Sequence, residues 1–275
     1  VNLVGTGIAT GLETGVAATG LFRATGRLSD AMGTMGAALT AGKAAVLKGN
    51  PLATAQLIRK AMKTGNWDEV PQFWKTLIHR ESEWNNFNSM HEGYVEMQDR
   101  TYNLGPLKDV PLGYVVTIPG SALQATDDVF KTYLYNLTLN KRAIQTAVAA
   151  GKQGADLDAE IVRLLKNPSQ ELVDEAVDAA SYGTFQKHRV DIHTTSPGIE
   201  AAYLLTRLTY LPFIPTLFNL VKYSADTMFG PAINKQFRQA WSKNDPGVRA
   251  ELLARLSAGW GLFTAGIIAG AAKVA

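Results

Sequence analysis

Apolar residues recur along this chain with a helical period, most clearly in its second half. From Leu123 to Ala150, Val129, Phe130, Tyr133, Leu134, Leu137, Ile144 and Val148 fall on the stripe of one long amphipathic helix, which Gly151 ends. A shorter helix is expected around Asp158 to Leu165. Asn167-Pro168-Ser169-Gln170 then reads as an N-cap asparagine, a proline at the first helical position and a glutamine three residues after the cap, opening a helix to about Tyr182. Ser196-Pro197-Gly198 starts another, interrupted by Pro212 and Pro215 within Tyr210 to Phe218, and Pro231 and Pro246 stand near the openings of two last helices. Nearer the start, Leu52 to Thr64 carries Leu57, Ile58 and Ala61 on one face and stops at Gly65. Val70 to Trp84 is aromatic-rich and continues with breaks through Met97.

Two stretches depart from that pattern. Gly105-Pro106 to Pro119-Gly120 also holds Pro111 and Gly113; its Tyr114-Val115-Val116-Thr117-Ile118 has strand composition but no evident partner, so residues 106–120 are expected to be an extended linker. The first fifty residues are rich in Gly, Ala and Thr, with Gly7, Gly11 and Gly15 four apart, on one helical face that lets another backbone approach. Glycine costs an isolated helix about 1 kcal/mol per position relative to alanine. Residues 1–50 therefore read as an oligomerisation segment, helical or extended, stabilised against other chains or partly lipid-seeking; a flexible lead-in is the alternative. The expected organisation is this segment, an aromatic-rich helical segment over 51–105, the linker, and a helical module over 121–275. The fold class is all-α: an elongated multi-helix assembly with proline-kinked helices, Gly/Ala-rich ends and little or no β structure.

Composition narrows the chemistry. Hydrophobic residues make up 46% of the 275 and charged residues 19%, which suits a chain with a buried core. With no cysteine, a disulfide scaffold, a thiolate metal site, an iron–sulfur cluster and a cysteine nucleophile are all excluded. No stretch reaches the roughly 20 unbroken apolar residues of a membrane span; the nearest is Leu256 to Ala272, between Arg255 and Lys273. His79, His91, His188 and His193 form no spaced metal pair on a helical face, and no phosphate-cradling Gly-rich loop follows a strand. No metal or cofactor is expected. Asp127-Asp128 reads as helix-dipole complementation at the head of the long helix. The formal charge of +3 is small, but from Glu200 onward Arg207, Lys222, Lys235, Arg238, Lys243, Arg249, Arg255 and Lys273 outnumber Glu200, Asp226, Asp245 and Glu251. Lys235, Arg238, Lys243 and Arg249 are the candidate contacts to DNA or phosphate, with a solvated face as the alternative. The opening Val1 predicts a removed leader or an excerpt of a longer polypeptide.

Two resemblances bear on function. Glu81-Ser82-Glu83-Trp84-Asn85-Asn86 resembles the Glu-Ser-x-aromatic-Asn opening of the lytic transglycosylase fold, with Met97-Gln98 near the place of that family's second motif. The resemblance makes Glu81 the candidate general acid of peptidoglycan cleavage. The family's Gly-rich lead to Met-Gln is replaced here by Glu92-Gly93-Tyr94-Val95-Glu96, which puts charges where the family packs glycine and leucine.

The wider resemblance runs from about Val110 to the end. Its blocks are Ile118-Pro119-Gly120-Ser121-Ala122-Leu123 leading into Ala125-Thr126-Asp127-Asp128-Val129-Phe130-Lys131, then Glu160-Ile161-Val162-Arg163-Leu164-Leu165 with Asn167-Pro168, then Ala179 to Phe185. Leu211-Pro212-Phe213-Ile214 with Asn219 and Lys222-Tyr223, and Arg249-Ala250-Glu251-Leu252-Leu253-Ala254-Arg255-Leu256, complete the series. In that order the blocks resemble a helical module of the large polyvalent and internal virion proteins of tailed bacteriophages. Where the family has an arginine this chain has Pro215, and where it has a proline, Leu217. The resemblance implies a structural, non-enzymatic protein of the DNA-ejection apparatus, held in the capsid lumen near the portal and delivered to the host envelope as part of a conduit. Its implied partners are further copies of itself, other internal core proteins, the portal, double-stranded phage DNA and the host membrane. Gly7, Gly11 and Gly15, with Trp260, Phe263, Gly266 and Gly270 in the Gly/Ala-rich end, are the expected oligomer or membrane surfaces. A lytic transglycosylase using Glu81 and a DNA-coating scaffold of the capsid interior are the rival readings.

Overall fold

The computed structural model describes residues 2–79, 84, 102–104, 107–110, 112–184, 227–229, 238, 241–242 and 246–271. These are predominantly helical, and the fold class is all-α. The Gly/Ala/Thr-rich opening forms two helices, α1 (Asn2–Thr25) and α2 (Leu28–Val46). Alanines and threonines let it pack: Ala9, Val16, Ala17 and Leu21 of α1 are buried, and threonine hydroxyls of α1 bond back to carbonyls four residues earlier, as Thr14 does to Thr10. Gly26, at φ +67°, makes the turn between the two helices.

Helix α3 (Pro51–Thr64) stops at Gly65 as expected. The Asn50 side chain accepts from the Ala53 N–H, proline occupies the first turn, and Gly65 closes the helix in the left-handed conformation with its N–H on the Ala61 carbonyl. Helix α4 (Gln72–Trp74) runs on as a π-helical turn over Lys75–His79. Strands β1 (Tyr102–Leu104) and β2 (Leu107–Val110) pair antiparallel.

Helix α5 (Leu112–Ala149) corrects two expectations. Residues 112–120, expected in an extended linker, are helical, and 107–110 pair as a strand. Strand composition at Tyr114–Ile118 is overridden because those residues continue the helix that follows; Pro119 removes only one N–H from it. The long helix therefore starts a full three turns before Leu123, and Asp127-Asp128 lie in its interior rather than at its head. Gly151, at φ +73°, ends it as predicted. Helices α6 (Gly154–Lys166) and α7 (Gln170–Gly183) follow. The cap of α7 is Ser169, whose hydroxyl accepts from the Leu172 N–H, and not Asn167, which ends α6. Asn167 is taken up in closing α6, its N–H donating to the Arg163 carbonyl at 3.1 Å, so the next helix is capped further on. Pro246 opens α8 (Pro246–Ala271). Pro197, Pro212, Pro215 and Pro231 lie outside the described residues.

The chain divides into two units, one of residues 1–3 and 38–133, the other of 4–37 and 134–275, the division falling inside α2 and α5. In the first, Ala61, Trp67 and Val70 form a core with Leu57, Ile58, Trp74 and Ile78. Trp67 stacks on His79 with ring centroids 5.0 Å apart, and the Trp74 indole N–H donates to the Val46 carbonyl at 2.9 Å. In the second, Leu139, Ala143 and Ala147 of α5 pack on Leu157 and Leu164 of α6 and on Leu172 and Ala176 of α7. Leu21, Ala31 and Ile144 join α1, α2 and α5. Several of these contacts are alanine methyls, which bring helices close.

Glycine is required where α8 meets residues 227–229. A Cβ on Gly259 would stand 2.7 Å from Thr227 Cγ2 and 2.9 Å from the Thr227 carbonyl oxygen, so backbone would have to move. Gly259→Ala is expected to cost about 1–3 kcal/mol, read as a lower thermal midpoint by circular dichroism. At Gly183 the added methyl would meet the flexible end of Leu134 instead, at 2.5 Å from Cδ1, and a rotamer change relieves it. Gly183→Ala should therefore shift the midpoint less.

Candidate functional site

The small-residue face of α1 is where the sequence placed an assembly surface, and its geometry can be read directly. Ile8, Gly11, Gly15, Thr19 and Phe22 share one stripe at three- and four-residue spacing, and each is exposed. Gly7 borders the stripe and is half-buried. A Cβ built on Gly7, Gly11 or Gly15 meets nothing within 4 Å. The opposite face carries Thr6, Ala9, Thr10, Val16, Ala17 and Leu21, all buried. The stripe carries no charge. Ile8 and Phe22, each half exposed, stand as apolar side chains at the two ends of the stripe, with the glycines between them. On α2, Leu28, Met32, Gly36 and Leu39 repeat the arrangement, and all four are exposed.

The C-terminal candidates separate into those within reach and those outside. Trp260 is exposed on α8, its ring meeting Phe229 edge-on with centroids 5.5 Å apart. Phe263, Gly266 and Gly270 lie on the same helix. Among the described residues no helix is long and apolar enough to cross a membrane. Of the four candidate phosphate contacts, Arg238 is exposed, whereas Lys235 and Lys243 lie outside the described residues. Arg249 is engaged within the chain: its Nε donates to the Trp241 carbonyl at 3.2 Å and its guanidinium sits 5.8 Å from the Trp241 ring centroid. Glu81, His91, His188 and His193 also lie outside the described residues. His79 is the histidine stacked on Trp67, and among the described residues no group of His, Asp and Glu is placed to hold a metal ion.

The sequence reading missed two charged centres. In the first unit, Asp128 and Lys131 of α5 are both fully buried. The Thr76 hydroxyl donates to Asp128 Oδ2 at 2.7 Å and accepts from Gln72 Nε2 at 3.0 Å. Lys131 Nζ lies 3.7 Å from Asp128 Oδ1 and 5.8 Å from the Trp84 ring centroid, without a hydrogen bond. Burial pulls its ammonium below the ordinary lysine range, against the attraction of Asp128 and Asp127. Asp127, Lys131 and Leu134 share one stripe of α5, at four- and three-residue spacing.

In the second unit, Glu251 of α8 is buried and ion-paired to Lys141 of α5. Arg255 of α8 reaches Glu13 of α1 at 2.6 Å, and Arg142 of α5 reaches Glu175 of α7 at 3.0 Å. Burial alone would raise the Glu251 carboxyl, but Lys141, with Arg142 and Arg255, holds it below the ordinary range. Both centres join helices across the core, and neither exposes a reacting atom. No protein-family model matches this chain, and no curated protein or solved structure matches it.

Proposed function

We propose that this chain is a structural protein that assembles with copies of itself as a component of a tailed-bacteriophage internal core, and that it helps build the conduit for genome delivery. The observation that supports assembly is the uncharged stripe of Ile8, Gly11, Gly15, Thr19 and Phe22, exposed along α1 with glycines open to a close neighbour. Such a stripe weakens an isolated helix, and a second backbone packed into it offsets that cost. The phage assignment is supported by the ordered blocks from Ile118 to Leu256. In this reading the partners are further copies, other core proteins, the portal and double-stranded DNA, and the chain rests in the virion interior until it reaches the host envelope. The chemistry is assembly rather than catalysis.

Sedimentation of the intact chain tests it. Wild type is expected to associate with rising concentration, and Gly11→Leu with Gly15→Leu should leave a monomer with an unchanged far-ultraviolet spectrum. Gly11→Ala with Gly15→Ala should raise the monomer's stability by about 1 kcal/mol per position while weakening association. A wild type that stays monomeric, or one whose association ignores the leucines, would overturn the proposal.

A further inference from the structure

Between Asp30 and Asp68 the chain contains no aspartate or glutamate, yet it holds Lys43, Lys48, Arg59, Lys60 and Lys63. The fold puts all five on the surface of the first unit: Lys43 in the last turn of α2, Lys48 in the connection to α3, and the rest on α3. The Lys48 backbone is tied to the first turn of α3, its N–H donating to the Thr54 hydroxyl at 3.0 Å. Lys60 makes one exposed pair with Glu69, at 3.5 Å. Among the described residues Lys43, Lys48, Arg59 and Lys63 have no carboxylate partner. Arg59 and Lys63 are one turn apart on the same stripe, about 6 Å along the axis.

We propose that Lys43, Lys48, Arg59 and Lys63 form a docking surface for the phosphate backbone of duplex nucleic acid. Charge complementarity selects a polyanion: the surface is cationic and its own sequence supplies no carboxylate to neutralise it. Leu57, Ile58 and Ala61 of α3 pack on Trp67 and Val70, and the large apolar side chains that the helix leaves exposed, Leu52 and Met62, stand at opposite ends of it and make no continuous apolar face to enter lipid. A single strand is disfavoured because, among the described residues, no exposed aromatic ring stands beside these cations to stack a base; Trp67 is buried and Phe73 and Trp74 are half-buried. No side chain here is arranged to read base edges, so the contact is independent of sequence. The surface is distinct from the glycine stripe of α1 and stands on its charges whether or not the chain assembles.

Fluorescence anisotropy of the intact chain with a short labelled DNA duplex tests the assignment. Four phosphate contacts predict binding that weakens about a hundredfold between roughly 50 and 200 mM salt. Lys43→Gln, Lys48→Gln, Arg59→Gln and Lys63→Gln together should abolish most of that binding and flatten its salt dependence. Arg59→Gln with Lys63→Gln alone should lower the logarithmic slope by about two, which keeps the test open should the fourfold variant misfold. Lys152→Gln with Lys166→Gln, exposed cations of the second unit, should change nothing. Sedimentation of the same variants should match wild type, which separates a failure here from a failure of assembly. DNA affinity and slope unchanged in the variants overturn the proposal, as does binding to phosphatidylserine vesicles without binding to the duplex.

Discussion

Lys131→Met is expected to destabilise the first unit by about 3–5 kcal/mol, and Lys131→Met combined with Asp128→Leu is expected to recover most of that loss. Lys131 is 1% exposed and Asp128 is wholly inaccessible, so neither charge is hydrated. What offsets the desolvation is their mutual attraction at 3.7 Å, the ring of Trp84 beside the ammonium, and the Thr76 hydroxyl on Asp128 Oδ2. Removing the ammonium leaves Asp128 in the same enclosure, with Asp127 adding like charge, and the carboxylate must stay unpaired or take up a proton. Removing both charges and filling the volume with apolar atoms leaves no buried ion to compensate, which is why the double variant should do better than either single one. Thr76 then gives up its acceptor but keeps the Gln72 amide as donor. Denaturant titrations of the four proteins, with hydrogen exchange at residues 72–79 to localise the effect, measure the coupling directly. If Lys131→Met costs less than about 1 kcal/mol, the pair does not hold α4 to α5.

The second large effect is set by acid. Glu251 has a folded pKa held below the ordinary glutamate value of about 4.3. A depressed carboxyl contributes stability that is fully present above the unfolded value and is lost as pH falls through the folded one. The second unit should therefore weaken as pH drops below about 4.3, since protonated Glu251 no longer compensates Lys141 and α8 loses its buried anchor to α5. Glu251→Gln should cost about 3 kcal/mol at neutral pH, because it leaves Lys141 nearly enclosed with no anionic partner, its side chain only 12% exposed. The two proteins should converge once wild-type Glu251 is protonated. Thermal unfolding of both from neutral pH into acid checks the sign as well as the size. A gap that persists in acid would falsify the linkage between Glu251 and the stability of this unit.

These centres show where a sequence reading succeeds and where it stops. Gly65 ends α3, Gly151 ends α5 and Pro246 opens α8, all as read from the residues alone. A cap is satisfied by backbone groups within about four residues, so everything that decides it lies in the local sequence. The cap of the helix Gln170–Gly183, expected at Asn167, is Ser169, because Asn167 instead closes the preceding helix with its N–H on the Arg163 carbonyl. The α1 stripe was legible as Gly7, Gly11 and Gly15, because a four-residue period needs no knowledge of neighbours. The basic surface of α3 is legible too, as a run without acids between Asp30 and Asp68.

The long-range facts were of another kind. Tyr114 to Ile118 has the composition of a strand, and only its continuity with the rest of α5 made it helical. Ala143, Ala147 and Ala176 are core residues that no hydrophobic pattern singles out, since alanine suits a surface and a close helix contact equally well.

The sequence by itself determined the helical character of the chain, several of its helix ends and the face of α1 that carries the glycines. Tertiary structure alone decided that Asp128 and Lys131, neighbours three residues apart on α5, are buried beside Thr76, fifty-two residues from Asp128, and that Glu251 is enclosed by Lys141, one hundred and ten residues away. Helix formation answers to hydrogen bonds and side-chain preferences within a turn or two. Burial and the pairing of charges answer to which distant surfaces are brought together.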